Sequence, residues 1–432
     1  MKKILILTVT AGEGHNSVAK ALADKFKTYA NTEVKLLDIY KECGNKFKCF
    51  IFDNAYRASC KYALGAYNKI YNYIANRDPN KRETTPVQLA VKNELPFLLK
   101  QIYNFKPDII VTSHLYGAIA LTNLKKIFKI DAKVGAILTD YEPHPFYESA
   151  TNIDYIFTPC EDAETILIKK GFKKEQIKCF GLPVKENFLF ETNKTETIQK
   201  LGLKQNMFTV MLMTGGGGFG GMIKLFLSLT KVNVPIQIIS INGKDEHSKK
   251  KIDSFIAKNK SSHIFHNLGF VSNIQDYMTA SDCMVGKCGG ISSTETLCKK
   301  LPLISISKLT RQELGNVRFL QKNNACLTID KNNKLEDIIQ QLILFPNKLD
   351  TLRSNIEKIK KPNALKNICD FMYSFNNSIY YDEKTINQLS EYKIKTLIKT
   401  AQKKDIKNAN LKIKNIKKEI ICNAKLLKHK IY

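Results

Sequence analysis

The chain predicts an α/β protein: two doubly wound, Rossmann-like domains followed by a basic helical tail. Three observations predict it. Short apolar runs alternate with helix-period segments up to about residue 180, and the alternation restarts near residue 208. The runs are continuously apolar, as parallel strands buried on both faces require. Glycine-rich turns follow strands in both halves.

Composition sets the frame. At roughly 150 residues per domain, 432 residues suit two to three domains. Hydrophobic residues at 44% and charged residues at 25% exclude a disordered chain. No run of about 18 apolar residues occurs, so no membrane span is expected. The start, MKKILILTVTAGEGH, runs from apolar residues into Thr and Gly and reads as a first strand, not a secretion signal. The 11 Cys contain no CxxC pair, which excludes a zinc ribbon or thioredoxin-type site and points to reduced cytosolic thiols. A net charge of +28 seeks anionic partners: nucleic acid, anionic lipid or phosphorylated substrates.

In chain order, residues 4–9 (ILILTV) form the first strand, and residues 17–26 follow as a helix with Val18, Ala21, Leu22 and Ala23 in its stripe. Strands are expected at 33–37, 108–113 (DIIVTS), 134–139 and 155–158. The second half repeats the plan with strands at 209–213, 236–241 (IQIISI), 264–268, 283–285 and 303–305. A polar stretch at 191–200 separates the halves. Domains are thus expected at 1–185 and 200–365, with C-terminal helices and a tail at 366–432.

Two segments break the alternation. Residues 43–77 mix aromatics with cations, and no acid lies between Asp53 and Asp78. An amphipathic helix is expected there, lying in a lipid interface with Phe47, Phe50 and Phe52 as membrane contacts. The same aromatics would equally fill a domain core. From Lys384 to Tyr432 the chain is rich in lysine, with acids only at Glu391, Asp405 and Glu419. Such a tail suits an anionic surface or nucleic acid, or is simply solvated.

Ligands of doubly wound sheets sit beyond the carboxyl ends of the strands, so the loops there carry the chemistry. Gly12-Glu13-Gly14-His15 follows the first strand and opens a helix; His15 is a candidate base or hydrogen-bond donor to phosphate, or the exposed residue of a tight turn. His114 follows DIIVTS, and Asp140 and His144 follow the strand at 134–139. Asp140 is a second candidate base. Six glycines fall between 215 and 221, including Gly215, Gly216, Gly217 and Gly218, where a simple turn needs one or two. A backbone cradle for phosphate explains them, and the missing Lys-Ser/Thr ending argues against an ATPase or GTPase. Gly289 and Gly290 precede a Ser/Thr run with Thr294 and then Glu295, which either caps a helix or accepts from ribose hydroxyls. RQELGN supplies Gln312, Glu313 and Asn316 after a further strand, suited to sugar hydroxyls or to a solvated helix start.

Taken together, TAGEGHNSVAKAL, SHLYGA, TDYEPH, GLPV, the glycine loop, LGFVSNIQDYMTASDCMVGKCGGISSTETLCKKLPLI and RQELGN resemble glycosyltransferase family 28, in its diacylglycerol glycosyltransferase branch of monogalactosyldiacylglycerol synthases and processive diacylglycerol glucosyltransferases. The match runs from Lys3 to about Phe375, and the order of the blocks is more specific than any one of them. The resemblance implies a GT-B fold, two domains facing a cleft, with acceptor in the first and UDP-sugar in the second. It implies inverting transfer of glucose or galactose to diacylglycerol, with no metal and no cofactor, on the cytoplasmic face of the membrane. By position, Phe270 and Val271 lie near uracil, Gly289, Gly290 and Thr294 near phosphate, and Glu295 at ribose. Gln312, Glu313 and Asn316 face the sugar or the loop beside it. Gly12, Gly14 and the glycine loop line the substrate site, and His15 and Asp140 are the base or its support.

This chain departs from the family at two points. Gly286 stands where Thr or Ser usually precedes Lys-Pro/Ala-Gly-Gly, and Tyr147 stands where Trp is usual. An N-acetylglucosaminyltransferase acting on a lipid-linked peptidoglycan precursor is the neighbouring alternative, although its first loop typically reads Gly-Gly-Thr-Gly-Gly-His. A non-enzymatic membrane- or nucleic-acid-binding protein is the alternative of another class. The glycine loops, Glu295 and the lack of a recognised nucleic-acid module count against it.

Overall fold

A computed structural model of the chain describes residues 1–10, 13–43, 64–75, 91, 94–128, 130–215 and 221–375. Gly12, Gly216, Gly217, Gly218, Phe47, Phe50, Phe52 and the tail 384–432 lie outside the described residues.

Strand β1 (Lys2–Thr8) sits inside a parallel six-stranded sheet with β2 (Thr32–Asp38), β3 (Ile109–Thr112), β4 (Lys133–Ile137), β5 (Tyr155–Phe157) and β6 (Ile177–Lys178), in the order β2-β1-β3-β4-β5-β6. Its side chains alternate between two buried layers. Ile4 and Ile6 pack with Val18, Leu22 and Phe26, while Leu5 and Leu7 face Leu98, Ile102 and Ile119. Period two, buried on both faces, explains the unbroken apolar run.

The second sheet is also parallel. It contains β7 (Thr209–Met213), β8 (Gln237–Ile241), β9 (Ile264–Leu268), β10 (Cys283–Gly286), β11 (Leu303–Ser305) and β12 (Cys326–Thr328), in the order β9-β8-β7-β10-β11-β12. That is the dinucleotide-fold order. In both sheets the direction of travel reverses once, between β1 and β3 in the first and between β7 and β10 in the second. These switch points are where a crevice opens.

Among the described residues the chain passes between the domains twice, at one place. The helix Ala364–Tyr373 leaves the second domain and packs Leu365, Ile368, Cys369 and Met372 against Ile4, Ile6 and Phe26 of the first. Burying each of these larger side chains contributes about 1.5–3 kcal/mol. The crossing is tight at Gly181, with φ +101°, where a Cβ would lie 2.6 Å from the Lys361 Cβ. The Gly of the GLPV block is therefore required both by its backbone conformation and by the second crossing.

Gly286 also has a spatial cause. A Cβ at this position would fall 2.2 Å from the Met213 carbonyl oxygen on the neighbouring strand. The Thr or Ser usual in the family has no room here.

Candidate active site

Both switch points carry the motifs singled out in the sequence. At the first, His15 follows β1 and His114 follows β3. His15 lies in the first turn of the helix Glu13–Lys27, and its Nδ1 sits 2.7 Å from the Ser113 carbonyl oxygen. A carbonyl only accepts, so Nδ1 carries the hydrogen and Nε2 is the basic nitrogen of the neutral ring. The Thr139 hydroxyl lies 3.4 Å from the same Nδ1. Burial lowers the His15 pKa, while its bond to Ser113 and the charge of Asp140 oppose that shift. Asp140 thus favours the protonated form of the very ring that burial holds neutral.

At the second switch point the described part of the glycine loop begins with Gly215 at φ +86° and ends with Gly221 at φ +68°. Across the switch, β10 leads to Gly289, Gly290 and the helix Gly290–Cys298. No side chain caps this helix, so its first amides are left for another acceptor. A phosphate is the anion such a terminus suits best.

The two switch points meet. A Cβ on Gly290 would lie 1.9 Å from the Thr139 carbonyl oxygen, and one on Gly14 would lie 3.1 Å from the Ile291 Cγ1. The Tyr141 hydroxyl is 2.9 Å from Thr294 Oγ1, which itself donates to the Gly290 carbonyl at 2.8 Å. Glycine at 290 is what lets the loop carrying Asp140 rest on the start of the helix Gly290–Cys298.

Asn316 completes the junction. It is fully buried. Its amide nitrogen donates to Asp140 Oδ1 at 2.9 Å and to the Cys288 carbonyl at 2.8 Å, and its oxygen accepts from the Tyr141 amide at 2.7 Å. The side chain placed by family position at the sugar or the loop beside it is thus occupied between the two domains. Beside it, Glu142 pairs with Arg311 at 3.3 Å and with Arg318.

The remaining residues sit as follows. Glu313 caps its own helix, accepting from the Thr310 amide at 2.8 Å, and lies 3.7 Å from Lys287. Gln312 is half-buried in the same first turn. Glu295 is half-buried one turn into its helix; burial raises its carboxyl to about 8, with Lys185 pulling the other way. Among the described residues no hydrogen bond holds that carboxyl. Phe270 is 74% exposed, open enough for a flat ring to stack on it, and Val271 packs against the core behind it. Tyr147, in place of the usual Trp, is buried beside Asp140.

Three features escaped sequence reading. The Ser113 carbonyl leaves no side-chain signal. Glu142 and Arg311 stood within recognised blocks and Arg318 just beyond one, but only folding shows that they pair. The third lies in the aromatic segment: the helix Leu64–Ala75 reaches the second domain, where Asn68 accepts from the Arg311 amide at 2.8 Å and donates to the Leu309 carbonyl at 3.2 Å. In that helix Tyr71 is buried with its ring 5.0 Å from His144, whereas Tyr73 is exposed. No helix among the described residues is long and apolar enough to cross a membrane.

Two parallel Rossmann-type domains, apposed at their switch points around a histidine and an uncapped helix terminus, define a GT-B fold. Solved structures share this fold. Acinetobacter baumannii MurG matches with a TM-score of 0.56 at 13% identity, covering 87% of this chain and all of that one. Anabaena HepE in complex with UDP and glucose matches at 0.51 and 17%, with the same coverage. The Neisseria meningitidis UDP-GlcNAc 2-epimerase matches at 0.55 and 15%, covering 86% of this chain and all of that one. An epimerase among them shows that this likeness speaks for the fold alone.

The family is specific. Residues 15–184 match the monogalactosyldiacylglycerol (MGDG) synthase model, and residues 209–370 match the glycosyltransferase family 28 C-terminal domain. The chain belongs to glycosyltransferase family 28, in its diacylglycerol glycosyltransferase branch. The processive diacylglycerol beta-glucosyltransferase of Bacillus pumilus is 25% identical over 371 residues, 85% of this chain and 94% of that one. The Bacillus licheniformis protein of the same name is 22% identical over 390 residues, 90% of this chain and 99% of that one.

Proposed function

We propose that this protein transfers a hexose from UDP-hexose to the free hydroxyl of diacylglycerol with inversion, making a membrane glycolipid. One observation carries the site assignment: Gly290 brings the loop of Asp140, and with it His15, against the uncapped start of the helix Gly290–Cys298. Nucleophile activation and leaving-group stabilisation then flank one space.

His15 takes the acceptor proton at Nε2, because Nδ1 is committed to Ser113. Asp140 stabilises the imidazolium that forms. The acceptor oxygen attacks the anomeric carbon as the bond to UDP breaks, and the negative charge left on the diphosphate meets helix amides and the glycine loop. Glu295 receives the ribose hydroxyls, Phe270 and Val271 the uracil, and Gln312 and Glu313 the sugar. Phe47, Phe50 and Phe52 of the aromatic segment and the tail 384–432 dock the enzyme peripherally on an anionic surface, placing the cleft over the bilayer, while the helix Leu64–Ala75 is held against the second domain.

The test is product analysis after incubating purified protein with diacylglycerol vesicles and UDP-glucose or UDP-galactose in parallel. A β-linked hexosyl diacylglycerol formed with stoichiometric UDP is expected from at least one donor. Absence of lipid product from both donors would reject the reading.

A further inference from the structure

We propose that His114 is a positioning residue: its ring fixes the plane of the His15 imidazole, so that His15 Nε2 faces the acceptor while His114 stays out of the proton transfer. This deepens, and for its catalytic consequence rests on, the transferase reading above.

The bond from His15 Nδ1 to the Ser113 carbonyl sets the tautomer, and the Thr139 hydroxyl lies 3.4 Å from the same nitrogen. Both contacts lie at Nδ1. His114 adds a contact with the ring itself, which limits its rotation about Cβ–Cγ: the two rings meet edge to face, centroids 4.3 Å apart at 74°. Effective base catalysis needs this orientation as much as it needs a suitable pKa.

His114 is itself held rigidly. It is the N-cap of the helix Leu115–Ile127, and its Nδ1 accepts from the Tyr116 amide at 3.0 Å. Its amide and carbonyl both bond the Thr112 hydroxyl, at 3.3 and 3.1 Å. A nitrogen that accepts from a backbone amide carries no hydrogen, so this ring is neutral with its hydrogen on Nε2. Burial, then the neighbouring His15 and His144, hold its pKa well below the ordinary value. The charged and titratable groups around the pair are Asp140, which favours charge on His15, and His144, which disfavours charge on His114. Adjacent imidazoles thus have opposite tautomers, and a proton released by an acceptor has one destination.

The cap alone does not explain an imidazole. Ser, Thr, Asp or Asn caps a helix at least as well and in less volume. What the imidazole adds is a ring wide enough to reach His15.

The test uses the full-length protein. His114→Asn keeps an acceptor for the Tyr116 amide and removes the ring; His114→Gln stands in should it fail to fold. The first readout is the NMR titration of the His15 ring, assigned by its loss in His15→Ala. Without the His114 ring, water reaches His15, and its midpoint should rise toward the unperturbed value of about 6.5. The second readout is hexose transfer. We expect kcat to fall between about tenfold and a hundredfold, the KM for UDP-hexose to stay within about twofold, and the acidic limb of the pH–rate profile to move up with the NMR midpoint. A shifted His15 titration in a chain inactive on diacylglycerol would support the positioning role and count against the proposed substrate. An unmoved titration with wild-type kcat would overturn the proposal and leave His114 as a helix cap.

Discussion

Asn316 of the second domain donates a 2.9 Å hydrogen bond to Asp140 of the first, from a side chain with no exposure to solvent. The same amide accepts from the Tyr141 backbone and donates to the Cys288 carbonyl beside Gly289. One side chain therefore ties the Asp140 carboxylate of the first domain to the loop that opens the helix Gly290–Cys298 of the second.

Asn316→Ala should leave three partners unsatisfied, the Tyr141 amide and the Cys288 carbonyl in buried contacts and Asp140 in a partly exposed one, at about 1–3 kcal/mol for each one that water cannot reach. Chemical unfolding should report a loss in this range, and kcat should fall with it as Asp140 loses its support. Asn316→Asp sets a carboxylate against Asp140 and should be worse than Ala for turnover. Wild-type turnover in both variants would show that the bridge has no part in catalysis.

Gly290→Ala has no space for its methyl group, which would sit 1.9 Å from the Thr139 oxygen. The second domain should fold, because the conflict lies between domains. UDP should still bind, and hexose transfer should fall at least tenfold, by about 1.4 kcal/mol or more in barrier. Measuring UDP affinity and transfer side by side separates a failure to close from a failure to fold.

Glu295 couples folding stability to pH. Its carboxyl is raised by burial from 4.5 to about 8, so the folded chain holds a proton that the unfolded chain releases within that window. Stability is then lost as pH rises through the window, and Glu295→Gln escapes the loss. The melting temperature of the variant should gain on wild type between about pH 5 and about pH 8. A constant difference across that range would refute the buried-acid assignment. Glu295→Ala should also weaken UDP-hexose binding about tenfold, the equivalent of one strong hydrogen bond.

Much of the architecture was legible from residues. The strands at 209–213, 264–268 and 303–305 coincide with β7, β9 and β11; β7 and β11 are buried runs of the kind a parallel sheet requires, whereas β9 is a half-buried edge strand. The edge strands β6 and β12 were missed; β6 has only two residues, and β12 is buried only at Cys326. At the site, His15, His114 and Asp140 announced themselves by following strands. The position of Asn316 between domains did not, because a polar residue in a helix start reads the same whether it meets sugar, solvent or a neighbouring domain. The close approach at Gly290 is likewise a property of two sheets together, and no local pattern encodes it.

Membrane docking was read from composition, and its test is independent of the cleft. Vesicle co-sedimentation should rise with anionic lipid and fall with salt, as charges screened beyond roughly 8 Å at physiological ionic strength require. Replacing Phe47, Phe50 and Phe52 with Ser should reduce binding at any salt. If the triple variant sediments like wild type, the phenylalanines are not the anchor.

The central claim is that His15, poised by Ser113 and Asp140, is the base that activates the lipid hydroxyl. Turnover of His15→Ala with UDP-hexose and diacylglycerol vesicles tests it most directly. The account predicts a fall in kcat of roughly 10²–10⁴-fold with UDP affinity preserved. A fall of less than about fivefold would contradict it and move the base assignment to Asp140.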